Sequence, residues 1–262
     1  LESGHEVVQV LSERDTDDAN ELGDFLDWGI SNYPADRYGL VLWDHGGQWT
    51  GFGGDKNNGQ RTWGKPNMKT ADIKEAVLQT LVKHDLKKLD FLSFDTCLMG
   101  GAEVLADVHE LCDVYIACPE LDYADGWDYS ATLGYLKAFP DTSNIEFGKK
   151  EVMFWGEHHN RRQSDREYKF HVAYDMKLFN VYNDKLKAFT AAILKESISG
   201  NNALILAKLR REAIHYWNSG TRIREGSVGV TDYIDLGSFA EEIAKHFTGE
   251  LKTASLGLVD AI

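Results

Sequence analysis

Short apolar runs alternate with segments of helical periodicity, and this rhythm constrains the fold more than any other feature of the chain. The runs stand in YGLVLWDHGG, KKLDFLSFD and CDVYIAC, each a buried-type strand by length and composition. A helix is predicted over Asp18–Tyr33, with Leu22, Phe25, Leu26, Gly29, Ile30 and Tyr33 on one face. A second carries Ile73, Val77, Leu78, Leu81 and Val82, with its lysines outside, and GGAEVLADVHEL reads as a third. Strand followed by helix at this spacing implies an α/β fold: a mainly parallel sheet with helices on its faces. Glu6–Leu11 reads as an additional strand, and Thr50–Asn67 is turn-rich, with Gly, Asn and one Pro.

Beyond about Asp141 the texture becomes helical. IEFGKKEVMFWGEHHNRR, KLFNVYNDKLKAFTAAILKES and NALILAKLRREAIHYW alternate with one strand candidate, YKFHVAYDM. DLGSFAEEIAKHF is amphipathic, with Asp235 as its N-cap. The sequence therefore predicts an α/β domain over 1–140 and a mostly helical C-terminal lobe, 141–262, packed on it across a soft boundary.

The composition narrows the partners. A chain of 262 residues with 43% hydrophobic content can build a large core. A net charge of −14 offers no surface for nucleic acid or anionic lipid. No apolar run reaches the roughly 18 residues of a membrane span. The start LESGHEVVQVLSERD has no initiator Met and no signal peptide, so an internal fragment is expected. The three cysteines form no even disulfide framework.

Two of the strands end in reactive side chains. GLVLWD runs into His45, followed by Gly46 and Gly47; LDFLSFD runs into Thr96 and Cys97, followed by Gly100 and Gly101. Sites in open parallel sheets form beyond the carboxyl ends of strands. If these two strands are neighbours, an imidazole and a thiol share one sheet edge, as a Cys–His pair requires. The amides of Gly46 and Cys97 would then face a developing oxyanion. The residues alone leave a second reading open, in which Cys97 is a packing thiol and His45 a hydrogen-bonded strand-end residue. Asp44 adjoins His45 on extended chain and points to the opposite face, so a dyad is expected rather than a triad.

Metal readings gain little support. His109, Cys112 and Cys118 form H-x2-C-x5-C, but a helix end and the two flanks of a strand do not make a zinc site. RDTDDANELGD lacks the spacing of a calcium loop and reads as N-capping before Ala19. GEHHNRR around His158 reads as surface.

YGLVLWDHGG and LDFLSFDTCLMGGAEVLADV, with ELDYADGWDY downstream, resemble the clostripain family of cysteine endopeptidases, within the group of caspases, legumains and gingipains. The resemblance covers about Ala19–Tyr135 well and the helical remainder loosely. It implies a caspase-like sheet, Cys97 as nucleophile, His45 as acid/base, and Gly46 and Cys97 as oxyanion donors. It further implies cleavage after Arg or Lys, with Asp95 and Asp125 at positions associated with the pocket for that side chain. A carboxylate binds a guanidinium through two charge-assisted hydrogen bonds, which agrees with the carry-over. A pocket for Asp or Asn would need a basic residue, and neither block holds an arginine or lysine. Family members are often zymogens activated by self-cleavage between the two blocks, their chains staying associated; Arg61, or Lys56, is the natural site here. Lys65 lies in the same interval. Calcium dependence occurs in part of the family, no other cofactor is implied, and the expected location is secreted or in a bacterial cell envelope.

The chain also departs from the family pattern. Gln48 stands where a third glycine is common, Cys118-Pro119 where a serine is common, and Ala124 replaces a more usual turn residue. The opening strand usual in the fold is not evident. The competing class is a non-catalytic member that binds peptides or a partner; retention of both His45 and Cys97 argues against it.

Overall fold

The computed structural model describes residues 7–55, 68–162, 170–215 and 233–262. Four strands form one sheet in the order β1 (Gly39–Trp43), β2 (Leu89–Asp95), β3 (Cys112–Ala117), β4 (Val172–Asp175). The first three are parallel, and β4 joins β3 antiparallel. The architecture is thus the expected mostly parallel α/β sheet. β2 is central, with five of its seven residues buried and none exposed, as in a strand covered on both faces.

Side chains alternate between the two faces. Val41, Phe91, Val114, Ile116 and Ala173 pack with Phe147 and Trp155 of helix α5 (Asn144–Arg162). On the alternate positions Phe94 meets Phe52 at 5.5 Å and Tyr115 at 6.0 Å between ring centroids. Helices α1 (Ala19–Asn32), α2 (Thr70–Lys83) and α3 (Ala102–Val108) pack in sequence, α1 on α2 and α2 on α3. Asp18 caps α1, its side chain accepting from the Asn20 N–H, so the acidic run before Ala19 is capping as expected. A short helix not read from the sequence, α4 (Tyr129–Ala138), is capped by Asp128.

Three expectations are corrected. Residues 7–11 are not a strand: Val7, Val8, Val10 and Leu11 are exposed and, among the described residues, have no ladder partner, without which an apolar run gains nothing from extension. On α1 only Leu22 and Leu26 are buried; Phe25 and Tyr33 flank Trp28 at the surface, at 6.3 and 5.6 Å. GEHHNRR is not simply surface, because His159 is fully buried on the sheet-facing side of α5.

The chain divides into two compact units, Leu1–Met176 and Lys177–Ile262. Position 140 lies inside the first unit, which includes α5 and β4. The second unit contains α6 (Phe179–Ser197), α7 (Asn202–Glu212), α8 (Leu236–His246) and α9 (Gly249–Val259). Its core is Phe189, Leu206, Leu209, Ile243, Leu251 and Leu258, with Asp235 capping α8 through the Ser238 N–H.

Candidate active site

The parallel register of β1 on β2 pairs Trp43 with Asp95. His45 and Cys97 each follow two residues later, so the two strand ends deliver an imidazole and a thiol to one edge at the same level. The loops after them touch. A Cβ on Gly46 would overlap the Cys97 carbonyl oxygen and Thr96 Oγ1, so only glycine permits this approach. Among the described residues, the Gly46 and Cys97 amides donate to no backbone oxygen.

Each strand end is shaped by an unusual backbone. Leu98, directly after the thiol, has φ +67, a left-handed conformation that costs a branched residue about 1–2 kcal/mol. It turns the chain sharply, and Leu98 N–H is then held by Glu120 O at 2.8 Å and Gly100 N–H by Cys118 O at 3.0 Å. Gln48 has φ +61, which accounts physically for the preference for glycine at that place. The Gln48 side chain is buried, and its amide fills the space over Gly101 that a Cβ there would occupy. A small hairpin stiffens the histidine loop: Gly53 N–H bonds His45 O at 2.9 Å and Gly47 N–H bonds Gly51 O at 3.0 Å.

His45 is exposed, and Cys97 is half-buried. The Asp122 N–H donates to Cys97 Sγ at 3.2 Å, and the Asp122 carbonyl lies 3.8 Å from the same sulfur. Burial pushes the thiol up, and the Asp122 N–H partly offsets this by favouring the thiolate.

Behind the thiol lies a buried acidic region. Asp95, the last residue of β2, is 3% exposed; its Oδ2 accepts from Trp127 N–H at 3.0 Å and Tyr129 O–H at 2.8 Å. Gly126 makes this possible: at φ +59, a Cβ there would sit 2.5 Å from Asp95 Oδ2. Burial raises the Asp95 carboxyl above its usual range. Asp122 Oδ1 accepts from Trp155 Nε1–H at 3.1 Å and from Tyr123 N–H at 2.7 Å. Burial first, then the neighbouring Asp95, pushes Asp122 up to about 7. Glu151 on α5 is fully buried, receives the Thr132 hydroxyl, and is pushed by burial up to about 8.

Of the residues singled out in the sequence, His45, Gly46, Cys97 and Asp95 come together at this sheet edge. Asp125 is exposed on the turn closed by Gly126 N–H to Tyr123 O. Lys56, Arg61 and Lys65 lie outside the described residues. The sequence reading did not pick out Asp122, Glu151, Trp155 or His159. The signal available was the i, i+4, i+8 spacing of Glu151, Trp155 and His159, which puts all three on one helix face. Their exposures of 0%, 2% and 0% confirm that face as buried. His159 Nε2 pairs with Gly126 O at 2.9 Å, tying α5 to the turn that covers Asp95.

Comparison with known proteins gives the family and the fold. A family model described as the Clostripain family matches residues 2–258. Clostripain of Hathewaya histolytica is 26% identical over 270 residues, covering 91% of this chain and 50% of that protein. The chain thus spans about half the length of this curated relative. Its fold is similar to a secreted C11 cysteine protease from Bacteroides thetaiotaomicron, with TM-score 0.65 and 12% identity, covering 94% of this chain and 62% of the other. It is also similar to an inactive zymogen C11 protease from Parabacteroides distasonis, with TM-score 0.60 and 16% identity, covering 97% and 62%.

Proposed function

The chain belongs to the clostripain family, and from that premise we propose that it is a cysteine endopeptidase with Cys97 as nucleophile and His45 as general acid and base. The observation that carries this reading is the shared register of the two strand ends, closed by the contact of Gly46 with the Cys97 backbone. Cys97 gives up its proton to His45, and Sγ adds to the scissile carbonyl carbon. The charge that develops on the carbonyl oxygen faces the Gly46 and Cys97 amides. Collapse of the adduct breaks the C–N bond, and the leaving amine takes a proton from His45. Water then adds to the thioester with His45 accepting its proton; the acid product leaves and the thiol is restored.

The residue before the scissile bond is Arg or Lys in this reading. Asp95 at the end of β2 supplies a buried carboxylate beside the thiol, and Asp125 lies on the turn at the rim. Peptide and protein substrates of this type are the partners proposed. Self-cleavage at Arg61 or Lys56 would leave two associated chains and release the zymogen. Calcium is proposed only as a family-linked requirement, and export from a bacterial cell only as a family-linked location. Among the described residues no helix is long and apolar enough to cross a membrane.

Fluorogenic peptides ending in Arg, Lys, Asp or Asn, offered to wild type and Cys97→Ala, test the reaction. Turnover of the Arg or Lys peptide that disappears in Cys97→Ala is expected. Equal turnover by the two proteins would remove Cys97 as the nucleophile. Gel analysis tests the processing: wild type should yield two fragments and Cys97→Ala one full-length chain. Two full-length chains under activating conditions would end the self-cleavage reading.

A further inference from the structure

Three carboxylates distant in sequence, Asp95, Asp122 and Glu151, lie within electrostatic range of Tyr129, whose hydroxyl is raised by burial first and then by all three of them, Asp95 alone accepting its hydrogen bond. Each is built the same way. One oxygen is anchored: Asp95 Oδ2 by Trp127 N–H and Tyr129 O–H, Asp122 Oδ1 by Trp155 Nε1–H, and Glu151 Oε2 by the Thr132 hydroxyl. The other oxygen, Asp95 Oδ1, Asp122 Oδ2 or Glu151 Oε1, is sealed from solvent and receives no hydrogen bond. No ion pair among the described residues engages any of the three.

We propose that Glu151 is a specificity-determining residue of the substrate pocket, forming with Asp95 and Asp122 a floor that receives the cationic side chain preceding the scissile bond. This rests on the basic-residue reading given above and extends it to a helix outside both strand-end blocks. A buried carboxylate oxygen without a donor is costly, and three in one place are not explained by packing. Anchoring one oxygen of each carboxylate fixes the direction of the other. Each unmet oxygen is thereby left as a preset acceptor for an N–H donor of an ammonium or a guanidinium. Burial first, then repulsion from Asp95, holds the Asp122 and Glu151 carboxyls up, at about 7 and about 8, as a site lacking its countercharge would. Among the described residues no three such side chains are grouped so as to hold a metal ion, and the comparison with and without EDTA checks that a metal does not carry the preference.

The experiment measures kcat and KM on peptides ending in Arg, Lys or citrulline, the last being the uncharged isostere of Arg. Wild type, Asp95→Asn and Glu151→Gln are compared, each with and without EDTA. Glu151→Gln is expected to raise KM for the Arg and Lys peptides about tenfold, with kcat and citrulline kinetics within about twofold. Unchanged KM for both charged peptides overturns the proposal, as does an equal loss on citrulline, which marks a structural role. A wild-type preference for charged peptides that EDTA abolishes assigns the floor to a metal ion and also overturns it. Failure of the underlying reading looks different: wild type then cleaves citrulline and Arg peptides equally, and Asp95→Asn changes neither. Should Glu151→Gln fold poorly, Glu151→Asp withdraws the carboxylate by one methylene. The Arg-to-Lys ratio of kcat/KM, which is independent of the folded fraction, should then shift about tenfold toward the longer Arg. An unchanged ratio overturns the proposal.

Discussion

Two acidic regions of the first unit invite comparison. One is an open groove along α1 and α2, lined by Asp15, Asp17, Asp18, Asp24, Asp27, Asp72 and Glu75. The other is the buried trio of Asp95, Asp122 and Glu151. In the groove the negative charge has ordinary local uses. Asp18 caps α1, Asp27 holds His84 and Lys83 at 2.8 Å each, and Asp17 accepts from Asp55 N–H at 3.0 Å. In the trio each carboxylate has only half its partners. Charge density alone therefore does not mark a site; unmet hydrogen-bonding capacity in a dry place does.

The comparison breaks most visibly at Gly126. Replacing it with Ala forces a Cβ to 2.5 Å from Asp95 Oδ2 at φ +59 and displaces the turn that His159 also holds. We expect a destabilisation of about 2–3 kcal/mol in chemical denaturation and at least a tenfold loss of peptide turnover. A variant with wild-type stability and kinetics would mean the buried trio tolerates rearrangement and is not preset.

The trio and the groove should also respond to pH with opposite sign. Glu151 ionises at about 8 in the folded chain against its ordinary 4.5. Its contribution to stability is complete below the ordinary value and is lost as pH rises through about 8. The slope is at most about 1.4 kcal/mol per pH unit. Asp122, raised to about 7, adds its own slope below that pH, so the interval from 7 to 8 isolates Glu151. Denaturation of wild type and Glu151→Gln across pH 5 to 9 should show the variant losing less stability as pH rises. Parallel curves would show that Glu151 is ionised in the fold without cost.

A smaller effect is expected at Trp155, whose indole N–H anchors Asp122 at 3.1 Å. Trp155→Phe keeps an aromatic ring against Tyr123 and His171 but leaves Asp122 Oδ1 with only the Tyr123 N–H. A loss of about 1–3 kcal/mol is expected, together with faster or slower Cys97 alkylation as the Asp122 peptide shifts on the sulfur. Unchanged alkylation across pH would show that the Asp122 N–H is held on Sγ without Trp155.

The same contrast explains what could be read from the sequence. Strand periodicity and strand-end glycines point to His45, Gly46 and Cys97 on one edge, because parallel neighbours of similar length end together, while Asp95 is singled out by the family resemblance. Capping at Asp18 and Asp235 was legible, since it depends on residues two or three apart. The trio was not, because its members sit on β2, after β3 and on α5, and only tertiary packing joins them. The polar string GEHHNRR reads as surface by composition, while helical phase buries His159 beside the apolar Trp155. Glu6–Leu11 misleads in the opposite sense: its apolar pattern suits a strand, but residues 7–11 have, among the described residues, no ladder to join.

The smallest effect should come from the groove itself. Lys83 first, then His84, hold the Asp27 carboxyl below its usual range through hydrogen bonds. A lowered carboxyl contributes stability above its ordinary pKa and loses it as pH falls through the folded value, the reverse of Glu151. Because the pair is solvated, salt screens it and side-chain entropy offsets most of the attraction. Asp27→Asn should therefore lower stability slightly at neutral pH, less so in high salt, and not at all near pH 3. Its peptide KM values for Arg, Lys and citrulline should match wild type. A KM that rises only for charged peptides would put the open groove on the substrate's path and remove the distinction between solvated acid clusters and the buried one.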